Sequence, residues 1–261
     1  MPVEQIIPFE WSTLEQMRFD CAWNDNDVVR HPFMVTPIEN DEYLLLNQSE
    51  LFYQLLAAGL NYLPVQISGQ PDLIISSERL VLEGLGEKQL NDLVVQNPDN
   101  MALSESDSES PFPESVTVTL DFPNKTALNL HLRHSTRLGC PEPMARLFET
   151  IQRAGRFVPE IDQSGLDGTP LRSVRPDCIL TLPQFELSDL ISAARSDRLF
   201  PPNVLRITDG LKILNLDFPL RILRTDLPLY ELEMFLKDLL AYRELARRTS
   251  YIEGRVYILN R

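Results

Sequence analysis

The chain has 261 residues, enough to bury one sizeable core or two small ones, and its 43% hydrophobic and 24% charged content are those of an ordinary globular protein. No apolar run approaches the roughly 18 residues that a membrane helix needs. A formal charge of −14 sets the average field against a phosphate backbone, so nucleic acid is disfavoured as a partner.

Met1-Pro2-Val3-Glu4-Gln5 has no basic stretch leading into an apolar one, so no secretory signal is expected and a cytoplasmic location is the default. Ile6-Ile7-Pro8-Phe9-Glu10-Trp11 predicts a first strand and its exit. Ser12 to Asp27 predicts a short helix, interrupted at Asn24-Asp25-Asn26-Asp27. Phe33 to Thr36 reads as a strand, Glu39-Asn40-Asp41 as a turn and Tyr43 to Leu46 as a second strand. Asn47-Gln48-Ser49-Glu50 starts a helix that ends at Gly59, and Leu63-Pro64-Val65-Gln66 opens another strand. Residues 91–96 fit either a strand or a short helix. Residues 104–115, SESDSESPFPES, cannot bury enough apolar surface to offset their ordering entropy and form the clearest linker, expected to be poorly packed.

Val116 to Phe122 and Ala127 to Arg133 alternate as strands, with Pro123-Asn124-Lys125 as a hairpin turn. Pro143 to Ala154 predicts a helix closed by Gly155, and residues 160–176 are turn-rich. Cys178 to Leu182 is a short strand, and Ser188 opens a helix to about Arg195. Leu229 to Arg248 is a long amphipathic helix with Leu232, Phe235, Leu236, Leu239 and Leu240 on its apolar face, followed by a strand at Arg255 to Leu259. Cys21, Cys140 and Cys178 are odd in number and far apart, which signals neither a zinc ribbon nor a disulfide framework. His131 and His134 lie three apart on a predicted strand and point to opposite faces, a poor metal pair, so no metal site is expected.

Two stretches carry a resemblance. His31 to Gln66 resembles the nucleotide-binding core of the ParB/sulfiredoxin superfamily, which includes the free L-serine kinases. There the same place reads strand, Asp-Gly-His-His-Arg, helix, Leu-Gly, two or three residues, Val-Pro-Val. Arg198 to Leu220 resembles the Leu-Pro-Pro-Lys-Thr-Thr-Arg signature of the serine-kinase-like members, matching at Pro201, Pro202 and Arg206 but with Val204 and Leu205 at two hydroxyl positions. The resemblance implies an α/β (α+β) protein: a ParB/sulfiredoxin-like domain over 1–98, an acidic Ser/Pro-rich loop over 99–115 and a C-terminal α/β domain over 116–261.

It also implies a site. Glu10 matches the family's Pro-x-Glu, the acid proposed to activate the serine hydroxyl. Asn47, Gln48, Ser49 and Arg206 fall at nucleotide-binding positions. The chemistry has changed, however. Gln48 stands where a glycine lets the backbone approach phosphate, Glu50 replaces a histidine, and Leu51 replaces an arginine. Asn47 with Glu50 three residues on also reads as a capping box, with the Asn47 side chain accepting from the N–H of Ser49 or Glu50 and the helix starting at Gln48. Arg30 and His31, before the strand, are read as surface residues that could face a ligand.

The function expected is a non-catalytic or ligand-sensing relative of the free serine kinases. The alternative is an ATP- or ADP-dependent L-serine kinase with an altered phosphate cradle, which would use the nucleotide with Mg²⁺. A partner-binding structural protein is the second alternative. Expected partners are a small-molecule or nucleotide ligand and a second copy in a homodimer, with no membrane.

Overall fold

The computed structural model describes residues 1–10, 27–69, 73–77, 79–83, 86–96, 98–99, 101–105, 110–112, 115–123, 127–133, 147, 156–159, 178–196, 199–200, 205–208, 212–246, 249–252 and 256–259. β1 (Ile6–Pro8), β2 (Val28–Val29), β3 (Phe33–Pro37), β4 (Tyr43–Leu45) and β5 (Val65–Ile67) come first. β1, β3, β4 and β5 form a four-stranded sheet in the order β1-β4-β3-β5. β3 is buried from Phe33 through Thr36, which is why it reads as a continuous apolar run rather than an alternating one. β3 and β4 pair antiparallel, while β1 runs parallel to β4 and β5 parallel to β3. The hairpin turns at Asn40 and Asp41 with φ of 62° and 58°, a conformation those two residue types tolerate.

α1 (Ser49–Ala57) crosses from β4 toward β5 and buries Phe52 and Leu55. Phe52 meets Phe33 edge-to-face at 6.4 Å. The helix stops at Gly59, whose φ of 79° allows the N–H of Leu60 to reach back to the Leu55 carbonyl at 3.2 Å. β6 (Ile74–Ser77) leaves this region.

A second, larger sheet follows, built from β7 (Arg79–Glu83), β8 (Met101–Glu105), β9 (Ser115–Asp121), β10 (Ala127–Arg133), β11 (Arg156–Pro159) and β12 (Cys178–Thr181). Its order is β11-β7-β12-β9-β10-β8, and every pair is antiparallel. Val118, Leu120, Leu130 and Leu132 share its buried face. α2 (Glu87–Gln96) and α3 (Leu187–Arg195) bury Leu90, Leu93, Leu190 and Ala193. α2 settles the ambiguous 91–96 stretch as helix. β13 (Leu205–Thr208) pairs with β6 in a two-stranded ribbon.

The chain then adds β14 (Lys212–Leu214), β15 (Phe218–Pro219), α4 (Leu220–Leu223), α5 (Leu229–Leu245), β16 (Thr249–Ile252) and β17 (Val256–Leu259). β15 pairs with β2, and Leu216, Phe218, Leu220 and Leu223 enter the same core as Ile6, Val29, Phe33, Val35 and Phe52. Phe235, Leu236, Leu239 and Leu240 of α5 pack against that core, on the apolar face expected for this helix.

Two compact units result: Met1–Ile74 with Ile207–Arg261, and Ile75–Arg206. This partition differs from one at 98 and 116, because the last part of the chain returns to complete the core started by the first. The loop expected over 99–115 also needs correction. Met101–Glu105 is a strand of the large sheet, with Met101 buried, and Phe112 is half-buried, its ring 6.0 Å from the Arg133 guanidinium. The expected helices at 12–27 and 143–154 and the turn-rich stretch at 160–176 lie almost wholly outside the described residues.

Candidate functional site at the start of helix α1

The expected capping box is absent, and the reason lies in the sheet. Leu46 continues the pairing of β4 by donating to the Met34 carbonyl at 2.8 Å. Asn47 then turns its side chain to the same strand, where Oδ1 accepts from the Met34 N–H at 2.8 Å. It therefore extends the ladder instead of capping the helix. The N-cap is Gln48, held in the left-handed region at φ 57° and making no side-chain cap, and the helix starts one residue later at Ser49. Gln48 thus keeps a backbone conformation that suits glycine, while its Nε2 donates to the Pro32 carbonyl at 3.1 Å.

Ser49 is buried, and its hydroxyl donates to Glu10 Oε2 at 2.8 Å. Tyr53, one helical turn further along the same face, donates its hydroxyl to the Glu10 backbone carbonyl at 3.0 Å. Burial, followed by the Glu10 charge, pushes the Tyr53 phenol above its usual value. Tyr53 was not anticipated from sequence, although its i+4 spacing from Ser49 places both on one face. The fold thus gathers Glu10, Asn47, Gln48 and Ser49 around one helix start. Arg206 is not part of this unit: it is exposed on β13 in the other, where its carbonyl accepts from the Ser76 hydroxyl at 3.2 Å.

Electrostatically the helix start is acidic. Residues 1–10 and 31–78 contain no Lys or Arg. Glu10 stands beside Ser49, and Glu50 lies in the first turn. A helix N-terminus favours an anion, and here that anion is supplied by the chain's own carboxylates. A phosphate brought alongside one of them would meet repulsion on the order of 1–4 kcal/mol near a surface. The backbone N–H groups of an uncapped helix suit nucleotide phosphates; the side chains do not. Among the described residues no group of three or more His, Cys, Asp or Glu is placed to hold a metal ion.

Arg30 and His31 serve the fold. His31 Nδ1 accepts from the Asn215 N–H at 3.1 Å, and the Arg30 carbonyl accepts from the Asp217 N–H at 3.1 Å. Burial lowers the His31 pKa from its usual 6.5, with Arg30 adding to the shift and Asp217 opposing it. In the other unit, His131 is buried in β10, sharing hydrogen bonds with Ser104 at 2.8 Å through Nε2 and with Thr117 at 3.1 Å through Nδ1. His134 lies outside the described residues.

No family model and no curated protein matches this chain. Solved structures do. A C-terminally truncated SbnI from Staphylococcus aureus superimposes with a TM-score of 0.71 at 18% identity, over 94% of this chain and 95% of that one. A free serine kinase in complex with AMP gives 0.60 at 12% identity, over 85% and 92%. A variant of free serine kinase in complex with ADP gives 0.61 at 10% identity, over 85% and 92%. These likenesses show the fold: a mixed α/β, serine kinase-like and ParB-type architecture, as the sequence resemblance implies. No helix among the described residues is long and apolar enough to cross a membrane.

Proposed function

We propose that this chain is a ligand-binding relative of the free serine kinases that does not transfer phosphate. The observation that carries this reading is the hydrogen bond from the Ser49 hydroxyl to Glu10, which engages the carboxylate at the position of the family's proposed base. Phosphoryl transfer depends on positioning and on neutralising developing charge. Here the flanking positions are Gln48, Glu50 and Leu51, and residues 1–10 and 31–78 supply no Lys or Arg. Without charged donors of that kind, rates fall by orders of magnitude. A nucleotide is the ligand class suggested by the ADP and AMP complexes of the structural neighbours, and a helix N-terminus is where its phosphates would be held.

The same uncapped start, with Gln48 in a glycine-like conformation, favours a second reading: an ATP- or ADP-dependent L-serine kinase whose Mg²⁺ would supply the missing charge. One assay separates the two. The protein is incubated with L-serine, Mg²⁺ and ATP or ADP, and O-phosphoserine is sought by mass spectrometry. No product above background is expected. Turnover of about 1 s⁻¹, an ordinary slow enzymatic rate, that disappears in Glu10→Gln would replace the first reading with the second.

A further inference from the structure

Besides the Asn40-Asp41 hairpin, left-handed backbone occurs at three described residues other than glycine: Gln48, Asn215 and Asp217, with φ of 57°, 55° and 46°. Each is tied to one of three consecutive residues, Arg30-His31-Pro32. The Asp217 N–H donates to the Arg30 carbonyl, the Asn215 N–H to His31 Nδ1 and Gln48 Nε2 to the Pro32 carbonyl, all at 3.1 Å. L side chains seldom adopt this backbone, so these bonds hold turns that the chain by itself would leave. Two of the three acceptors are carbonyls, which take up no proton near neutral pH. His31 Nδ1 accepts only while the ring is neutral.

We infer that Arg30-His31-Pro32 is a strap with a pH-sensitive centre: protonation of His31 releases the 215–217 turn while the strands on either side stay paired. A protonated Nδ1 is a donor, so it would face the Asn215 N–H donor to donor. The charged groups around the ring are Arg30 beside it, Asp217 in the turn and Arg243, whose Nη1 reaches from α5 to the Asn215 carbonyl. Burial is the largest influence and, with Arg30, disfavours the charged ring, whereas Asp217 favours it. The ring is therefore neutral at pH 7 and takes its proton below 6.5. The release is bounded. The Ile213 N–H donates to Gln66 Oε1 at 2.9 Å on one side of the turn, and Phe218 pairs with Val29 on the other. The strap itself stays, because the next residue, Phe33, is fully buried and donates its N–H to the Pro64 carbonyl at 3.0 Å. What leaves is Leu216, 3% exposed in the core between the two left-handed residues. Mildly acidic pH thus uncovers one apolar side chain at a fixed place without unfolding the unit.

Amide exchange followed by NMR on the unsubstituted chain, at about pH 7.5 and pH 5.5 and corrected for the intrinsic rate at each, tests the strap. Asn215 and Asp217 should lose protection severalfold at the lower pH. The ceiling is about tenfold, set by the roughly one unit between that pH and the ordinary histidine pKa of about 6.5 regained when the turn opens. Phe33 and Leu46, whose N–H groups are bonded to the Pro64 and Met34 carbonyls, should not change. His31→Gln offers an acceptor that does not titrate and should remove the pH response. The unsubstituted chain gives a second reading: the ¹⁵N shift of His31 Nδ1 at pH 7.5 should be that of an unprotonated ring nitrogen. Equal protection at both pH values, loss at Phe33 and Leu46 in step with Asn215, a pH response that survives in His31→Gln, or a protonated Nδ1 at pH 7.5 would each overturn the inference.

Discussion

Two polar clusters in this protein use the same chemistry in opposite settings. At the start of α1, a serine hydroxyl donates to a carboxylate where regular structure breaks: a ladder ends at Asn47, Gln48 turns left-handed and a helix begins uncapped. In the large sheet, His131 sits between Ser104 and Thr117 on unbroken antiparallel strands, with both ring nitrogens engaged. Regular pairing lets polar groups satisfy one another across strands without strain. A break in the ladder ends that mutual satisfaction and holds a charge beside a helix start, the kind of place where ligand sites form. The difference separates a structural histidine from a candidate site more reliably than residue type does.

Stability measurements test this contrast directly. Glu10→Ala strands the buried Ser49 hydroxyl and is expected to cost about 1–3 kcal/mol, more than His131→Leu, whose half-buried hydroxyl partners can turn to water or backbone. Ser49→Ala should then cost little in the Glu10→Ala background, since the two act as one pair. Urea unfolding measures both effects; an equal or larger loss in His131→Leu would erase the distinction.

A smaller effect is expected at Gln48. Gln48→Gly and Gln48→Ala both lose the hydrogen bond to Pro32, but only glycine relieves the left-handed backbone. Glycine should therefore be the more stable of the two by about 1 kcal/mol. Equal urea midpoints would mean that the left-handed turn stores no strain.

The smallest effect is a pH dependence. His31 accepts a hydrogen bond as the neutral ring, and its folded pKa lies below 6.5. Between the folded and unfolded values the unfolded state binds the proton more readily, so the His31 contribution is complete above about 6.5 and is lost as pH falls through the folded value. Burial shifts His131 in the same direction, but its hydroxyl partners can rotate to accept from a charged ring. Stability profiles from pH 7 downward should flatten more in His31→Gln than in His131→Gln. The reverse order would place the sharper pH response in the sheet.

Much of the local structure was legible because it depends on neighbours in the chain. The Asn40-Asp41 turn, the stop at Gly59, the alternating strands at 115–121 and 127–133 and the inner face of α5 all follow from spacing and residue type. The capping box was legible too, and it misled. Asn47 and Glu50 have the right spacing, but Asn47 is claimed by the N–H of Met34, 13 positions earlier, and no local pattern records that demand. The strand at Met101–Glu105 was hidden by the acidic serines that follow it; its partner, β10, begins more than 20 residues later.

By itself the sequence determined where strands and helices form and that the first helix start carries carboxylates without cations. Only the tertiary structure decided that Glu10 meets Ser49 across 39 positions, that Arg206 belongs to a different unit, and that residues 207–223 return to finish the core begun by residues 6–55. The reason is physical: turns and periodicity are set by near neighbours, whereas the partner of a buried polar group is set by whichever donor or acceptor packing brings within about 3 Å.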